Sequence, residues 1–199
     1  MECHPCYRWL LRVVEPFLDR WPCVDLDVIR QFQFGGMAAL FQHEIDILVT
    51  PDPIARRGVT FTPVFDYEQV LVIAADHRFV DRSWVAAEDL AEETLLTYPV
   101  EPSRLDIFSE LLRPAGVMPR RHKTLESTDI MLQMVAANRG VAALPRWLAD
   151  EYRERLALAT LGLGHHGIAK QIHLGVRHAD EASRFISDFI TQAGQARLR

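Results

Sequence analysis

Hydrophobic positions along the chain recur first with the helical period. Leu10, Val13, Val14, Phe17, Leu18 and Trp21 fall three or four residues apart, so Tyr7 to Trp21 is expected to form an amphipathic helix. Pro16 lies inside this pattern, lacks a backbone N–H and should kink the helix. Pro22 ends the run and the period drops to two. Val24, Leu26 and Val28 alternate with Asp25 and Asp27, which predicts a strand with one buried face. After Gly35-Gly36, Met37 to His43 suits two helical turns, and Ile45 to Val49 reads as a nearly continuous buried strand. This is a β-α-β rhythm.

The rhythm continues. Val59 to Phe65 and Gln69 to Ala75 are expected as two extended segments beyond a loop marked by Pro51, Pro53 and Gly58. A short helix from Ala86 leads to the strand Thr94 to Tyr98. Ser103 with Asp106 three residues later forms a capping-box-like start for a helix over Leu105 to Arg113, which Pro114-Ala115-Gly116 ends. Lys123 to Leu125 is a short strand, Asp129 to Asn138 a helix with Gly140 at its C-terminal end, and Val141 to Leu144 a buried strand closed by Pro145. Trp147 to Arg153 is helical, and Leu156 to Leu161 and Ile172 to Val176 are extended. Phe185, Ile186, Phe189 and Ile190 place a last amphipathic helix at the C-terminus. Strands alternating with helices predict an α/β fold with largely parallel sheets, in two units joined by extended strands rather than a floppy tether. A cleft between two such lobes is the natural ligand site.

Composition narrows the function. Twenty-two basic and 27 acidic side chains leave a net charge of −5, and 49% of the 199 residues are hydrophobic, which excludes a disordered chain. With a pI near 5.9 and no Lys/Arg cluster, the electrostatic footprint for a phosphate backbone is missing, so the chain alone should not bind DNA. No stretch approaches the ~18 apolar residues of a membrane span. Met1-Glu2-Cys3-His4 lacks the regions of a signal peptide, so the cytoplasm is expected. Three cysteines, an odd number, read as thiols in a reducing compartment.

The candidate chemistry is sparse. Cys3-His4-Pro5-Cys6 has redox-motif spacing, but nothing upstream builds the strand such a motif follows, and a zinc site would need a second ligand pair that no spacing supplies. Cys3 and Cys6 are therefore read as small buried thiols and His4 as a loop residue, with a redox or zinc site the minor alternative. His165-His166 reads as a solvated turn. The chain contains no G-x-S-x-G, G-x-x-x-x-G-K-[ST] or H-E-x-x-H, so no catalytic residue, cofactor or metal is assigned. Tyr98-Pro99-Val100-Glu101-Pro102-Ser103-Arg104 is better placed: it follows a strand and runs into a helix N-terminus, where hydroxyl and N–H groups bind anions and Arg104 could add a bidentate contact to a carboxylate. Ser127-Thr128-Asp129 lies likewise between a strand and a helix. The bland alternatives are a simple cap at Ser103 and a surface charge at Arg104.

Glu44-Ile45-Asp46-Ile47-Leu48, Ala75-Asp76-His77-Arg78-Phe79, Glu88-Asp89-Leu90 and Gly140-Val141-Ala142-Ala143-Leu144-Pro145, in this order, resemble the effector-binding domain of LysR-type transcriptional regulators. Glu2-Cys3-His4-Pro5-Cys6, Phe65-Asp66-Tyr67-Glu68, Tyr98-Pro99-Val100 and Pro114-Ala115-Gly116-Val117 look like the methionine-biosynthesis branch of that family. The resemblance implies a fold of the type II periplasmic-binding-protein kind, with Rossmann-like sheets joined by crossover strands. It implies one regulatory lobe from residues 1–74 plus 175–199, a second from 75–174, and an N-terminal winged helix-turn-helix that this chain lacks. It further implies homocysteine as effector in the interlobe cleft, no catalysis, a homodimer that becomes a tetramer in the full-length protein, and promoter DNA reached only through the missing domain. Ser103, Arg104 and Thr128 would take the carboxylate, with Tyr98, Pro99 and Ser127 beside them. Glu101 or Glu2 would take the ammonium, and Cys3, His4 and Cys6 would line the thiol end. The helices Tyr7 to Trp21 and Ser183 to Ala193 would be the dimer faces. Another amino acid effector, or a stand-alone solute receptor of the same fold, are the competing readings.

Overall fold

The first helical pattern forms as expected. In the computed structural model, which describes Met1, residues 6–29 and residues 35–196, helix α1 spans Tyr7–Arg20 with Pro16 inside it. Its apolar stripe buries Trp9, Leu10, Val13 and Phe17. The C-terminal helix α5, Arg184–Gln195, packs against it. The Phe17 and Phe189 rings meet edge to face at 5.1 Å, the Trp21 indole N–H donates to Asp188 at 2.8 Å, and Arg20 pairs with Asp188 at 3.0 Å.

Backbone packing divides the chain into two compact units, Met1–Asp66 with Gln171–Arg199, and Tyr67–Lys170. The first unit holds α1, α5, the short helix α2 (Gly36–Phe41) and strand β1 (Leu48–Thr50). Strand β2 (Val59–Ala74) begins in the first unit and ends in the second, and β8 (Ile168–Arg177) begins in the second and ends in the first. The expected pair of extended segments around Tyr67 is thus one continuous strand, because Asp66 to Glu68 interrupts the apolar pattern without breaking the backbone. β1 pairs antiparallel with β8, in the register Leu48↔Gly175 to Thr50↔His173. Val24 to Val28, expected as a strand, is irregular, although its side chains still alternate between half-buried and exposed. Periodicity reports which side chains face the interior, whereas a strand also needs a hydrogen-bonded neighbour.

Arg177 ties the first unit together. Only 7% exposed, it donates to the carbonyl of Ile45 at 2.7 Å, to that of Leu40, and to Asp46 at 2.8 Å and Asp180. One guanidinium so satisfies carbonyls left open between α2 and β1.

The second unit is built on β3 (Trp84–Val85), β4 (Thr94–Thr97), β5 (Arg121–Thr124), β6 (Val141–Pro145) and β7 (Leu158–Leu163) with the second half of β2. β4 pairs parallel with β5 and β6, while β2 pairs antiparallel with β6 and β7. The sheet is therefore mixed rather than largely parallel. Its two faces are both buried: Leu71, Ile73 and Leu95 enter one core cluster, and Val70, Val72 and Leu96 the other. The continuous apolar runs of β2 and β4 follow from this, since alternate residues point to opposite covered faces. Helices α3 (Thr128–Ala136) and α4 (Arg146–Arg153) cover the second face. Over the first lies a six-residue π-helix, Ile107–Leu112, preceded by a 3₁₀ turn at Pro102–Arg104, where one α-helix from Leu105 to Arg113 was expected.

Candidate functional site

Parallel strands β4 and β5 run side by side, so the segments that follow them, from Tyr98 and from Leu125, leave the sheet at the same end. This is the position at which open α/β sheets bind ligands. Tyr98 is buried, and its hydroxyl lies 2.7 Å from Thr128 Oγ1 at the first residue of α3. Burial pushes the Tyr98 phenol up to about 12, against the opposing effect of the Thr128 hydrogen bond, so the pair is neutral at physiological pH. Ser127 is the N-cap of α3, its Oγ accepting the Ile130 N–H at 3.4 Å. Asp129 in the first turn accepts the Tyr152 hydroxyl of α4 at 2.6 Å. On the sheet side, Thr97 Oγ1 meets His122 Nε2 at 2.7 Å and donates toward the Tyr98 carbonyl at 3.0 Å, while the Leu125 N–H donates to the Thr97 carbonyl at 2.8 Å. Burial holds the His122 imidazole below its ordinary pKa.

The result is a set of neutral hydroxyls and a helix N-terminus held in place from several sides. Its first-turn N–H groups have no intrahelical acceptor. Such an array can bind and orient the carboxylate of a small molecule.

The residues expected at this site divide. Tyr98, Ser127 and Thr128 come together around the start of α3. Ser103 and Arg104 are exposed on the 3₁₀ turn, and Pro99 is exposed before it. Ser103 is not a helix cap: Glu101 precedes the turn, no side chain caps it, and Asp106 forms an ion pair with Lys170 at 3.0 Å and accepts from the Gln69 amide at 3.3 Å. A nearby cation outcompeted the local capping rule for the Asp106 carboxylate. Cys3, His4 and Glu2 lie outside the described residues. Cys6, buried at the start of α1, is disulfide-bonded rather than the free thiol expected, and Cys23 is an exposed free thiol. A disulfide depends on the distance between sulfurs in space, which cysteine parity does not report. Sequence reasoning missed Thr97, His122 and Tyr152. Only the position of Thr97 at a strand end could have signalled a role. Among the described residues no three His, Cys, Asp or Glu side chains are grouped to hold a metal ion, and no helix is long and apolar enough to cross a membrane.

Residues 1–197 match the family model described as the LysR substrate binding domain. The transcriptional regulator MetR of Escherichia coli (strain K12) is 39% identical over 193 residues, covering 97% of this chain and 60% of that protein. MetR of Salmonella typhimurium is 38% identical over 190 residues, covering 96% of this chain and 59% of that protein. The chain thus spans about three fifths of the length of the curated relatives it matches. Those relatives are transcription regulators, not enzymes. Among solved structures, the regulatory domain of MetR from N. meningitidis superposes with a TM-score of 0.90 at 31% identity, covering 98% of this chain and 90% of that one. The BenM effector binding domain with its effector benzoate reaches 0.74 at 20% identity over 94% of this chain and 84% of that one, a likeness of fold alone. The sheet with its two covered faces, the hydroxyl-lined start of α3 and these relatives lead to one conclusion: the chain belongs to the LysR substrate-binding domain family, in its MetR-like branch.

Proposed function

We propose that this domain senses homocysteine for a cytoplasmic, DNA-binding regulator of methionine biosynthesis, and that promoter DNA is contacted by a separate winged helix-turn-helix rather than by these residues. The observation that carries the reading is the Tyr98–Thr128 hydroxyl pair, 2.7 Å apart at the N-terminus of α3. An amino acid carboxylate finds there the Thr128 hydroxyl and the first N–H groups of the helix, with Arg104 and Ser103 on the neighbouring turn as further donors. Glu101, exposed beside that turn, supplies an acceptor for the ammonium group. The choice of the thiol-bearing amino acid over others of its size follows from the resemblance of the Glu2-Cys3-His4-Pro5-Cys6 and Tyr98-Pro99-Val100 segments to the methionine-biosynthesis branch.

Calorimetric titration of the 199-residue chain with homocysteine, methionine and cysteine tests the assignment. Homocysteine should bind at least about tenfold more tightly than the other two, a difference of about 1.4 kcal/mol. Thr128→Val, which keeps the shape and removes the hydroxyl, should weaken homocysteine by a further factor of about ten. Equal millimolar binding of all three amino acids would falsify the homocysteine reading.

A homodimer formed through α1 is part of the same proposal. Tyr7, Leu11 and Leu18 are 39%, 48% and 38% exposed, and their spacing puts them on one face of the helix.

A further inference from the structure

The first turn of α3 contains a conflict of charge. Its cap, Ser127, takes the Ile130 N–H, and the Met131 N–H donates to the Ser127 carbonyl at 3.0 Å. The N–H groups left for a bound carboxylate are therefore those of Thr128 and Asp129. A carboxylate seated on them stands beside the side chain of Asp129 itself, and like charges at such short range repel.

Asp129 is also held in place. Tyr152 is buried in the same core cluster as Tyr98, and its hydroxyl donates to Asp129 Oδ1 at 2.6 Å. Among the described residues no arginine or lysine is paired with Asp129. Its charge reaches the site: burial first, and with it the fields of Tyr152 and Asp129, keep the Tyr98 phenol protonated. An acid in the first turn of a helix complements the helix dipole whether or not a ligand binds. A solvated side chain fills that role, however, and does not call for a tyrosine of α4 to hold it.

We infer that Asp129 is a specificity-determining residue of the α3 site, repelling plain carboxylates and accepting the ammonium of an α-amino acid, with Tyr152 as its positioning residue. The inference rests on the reading of that site given above and adds a selection rule to it, since the same charge that weakens a simple anion attracts a zwitterion. Glu101, exposed beside the 3₁₀ turn, can follow an ammonium but is screened by solvent, so most of the discrimination falls to Asp129.

Two pairs of ligands test this by calorimetry on the 199-residue chain: homocysteine with γ-mercaptobutyrate, and methionine with γ-(methylthio)butyrate, the members of each pair differing only in the amino group. At least one amino acid should bind about tenfold or more tightly than its deamino partner. Asp129→Asn, nearly isosteric, should bring that ratio to within about twofold of one, weakening the amino acid and strengthening the plain acid. Tyr152→Phe, which keeps the charge but frees it, should lower the ratio about threefold. Thr128→Val should weaken both members of a pair alike and leave the ratio unchanged. The inference is overturned if the members of each pair bind alike, if Asp129→Asn leaves the ratio in place, or if Glu101→Gln lowers it more than Asp129→Asn does. Equal binding of homocysteine and methionine, with the ratio within each pair still sensitive to Asp129→Asn, overturns only the choice of effector. Absence of binding by both amino acids overturns the site and the inference together.

Discussion

His122 is the residue whose titration should be felt in the fold. Burial lowers its pKa below the ordinary 6.5, so below that pH the unfolded chain takes up a proton that the folded chain resists. Its stabilising contribution is complete above 6.5 and is lost as pH falls through that value toward the lowered one. His122→Asn should flatten the fall in melting temperature between pH 7 and pH 5, and a variant with the wild-type slope would remove His122 from the account. Arg177 makes a different case, since its value lies in the carbonyls of Leu40 and Ile45 that it satisfies. Arg177→Met would leave those carbonyls and Asp46 without their donor, and urea unfolding should show a loss of about 3 kcal/mol. At this scale the readable residues were those governed by local rules. Ser127-Thr128-Asp129 could be placed between a strand and a helix because the signals for a helix start lie within a few residues of one another, and Ser127 is the cap there. Asp106 obeys Lys170, 64 positions away, and Thr97 obeys His122; no local rule contains either partner.

Elements owe their boundaries to both kinds of cause. The turn between α3 and β6 passes through Gly140 at φ 152°, where a Cβ would stand 2.5 Å from the Thr94 carbonyl oxygen. The helix can cross to the next strand only with this backbone close to β4, so Gly140→Ala should cost at least about 2 kcal/mol by thermal or urea unfolding. A cost within a few tenths of a kcal/mol would mean that β4 can move aside. Gly140 was expected as the C-terminal cap, but the helix ends at Ala136 with Asn138 in the left-handed region at φ 54°, and what requires glycine at 140 is the close approach to β4. α1 and α5 were equally legible, because a helix with one apolar stripe is specified by spacing alone. The pattern from Leu105 to Arg113 predicts one α-helix, and the chain instead winds as a π-helix over Ile107–Leu112, after a 3₁₀ turn at Pro102–Arg104. There Ile107, Phe108 and Leu112 are buried together in the first-face core, and packing rather than propensity chose the winding.

For the whole molecule, assembly is the open consequence of the α1 surface. Leu11→Glu and Leu18→Glu lie on exposed positions and should leave the monomer folded while shifting light-scattering mass from dimer to monomer. A mass unchanged in both variants would place the contact elsewhere. The charge of −5 governs another property of the whole: a chain with this balance should show no mobility shift on duplex DNA even at low salt.

The amino-acid order by itself determined the alternation of helices and strands, the buried runs of β2 and β4, the start of α3 and the membership that its motifs announced. These are properties of spacing, and spacing survives without coordinates. Tertiary structure alone decided that Val24 to Val28 forms no ladder, that the sheets are mixed, that Cys6 is oxidised, and that Tyr98 meets Thr128 while Ser103 stands in solvent. Each of these outcomes depends on which distant group arrives beside a given backbone or side chain. Hydrogen bonds, ion pairs and disulfides act over a few ångströms in space, and one chain's pattern of polar and apolar residues does not specify those distances.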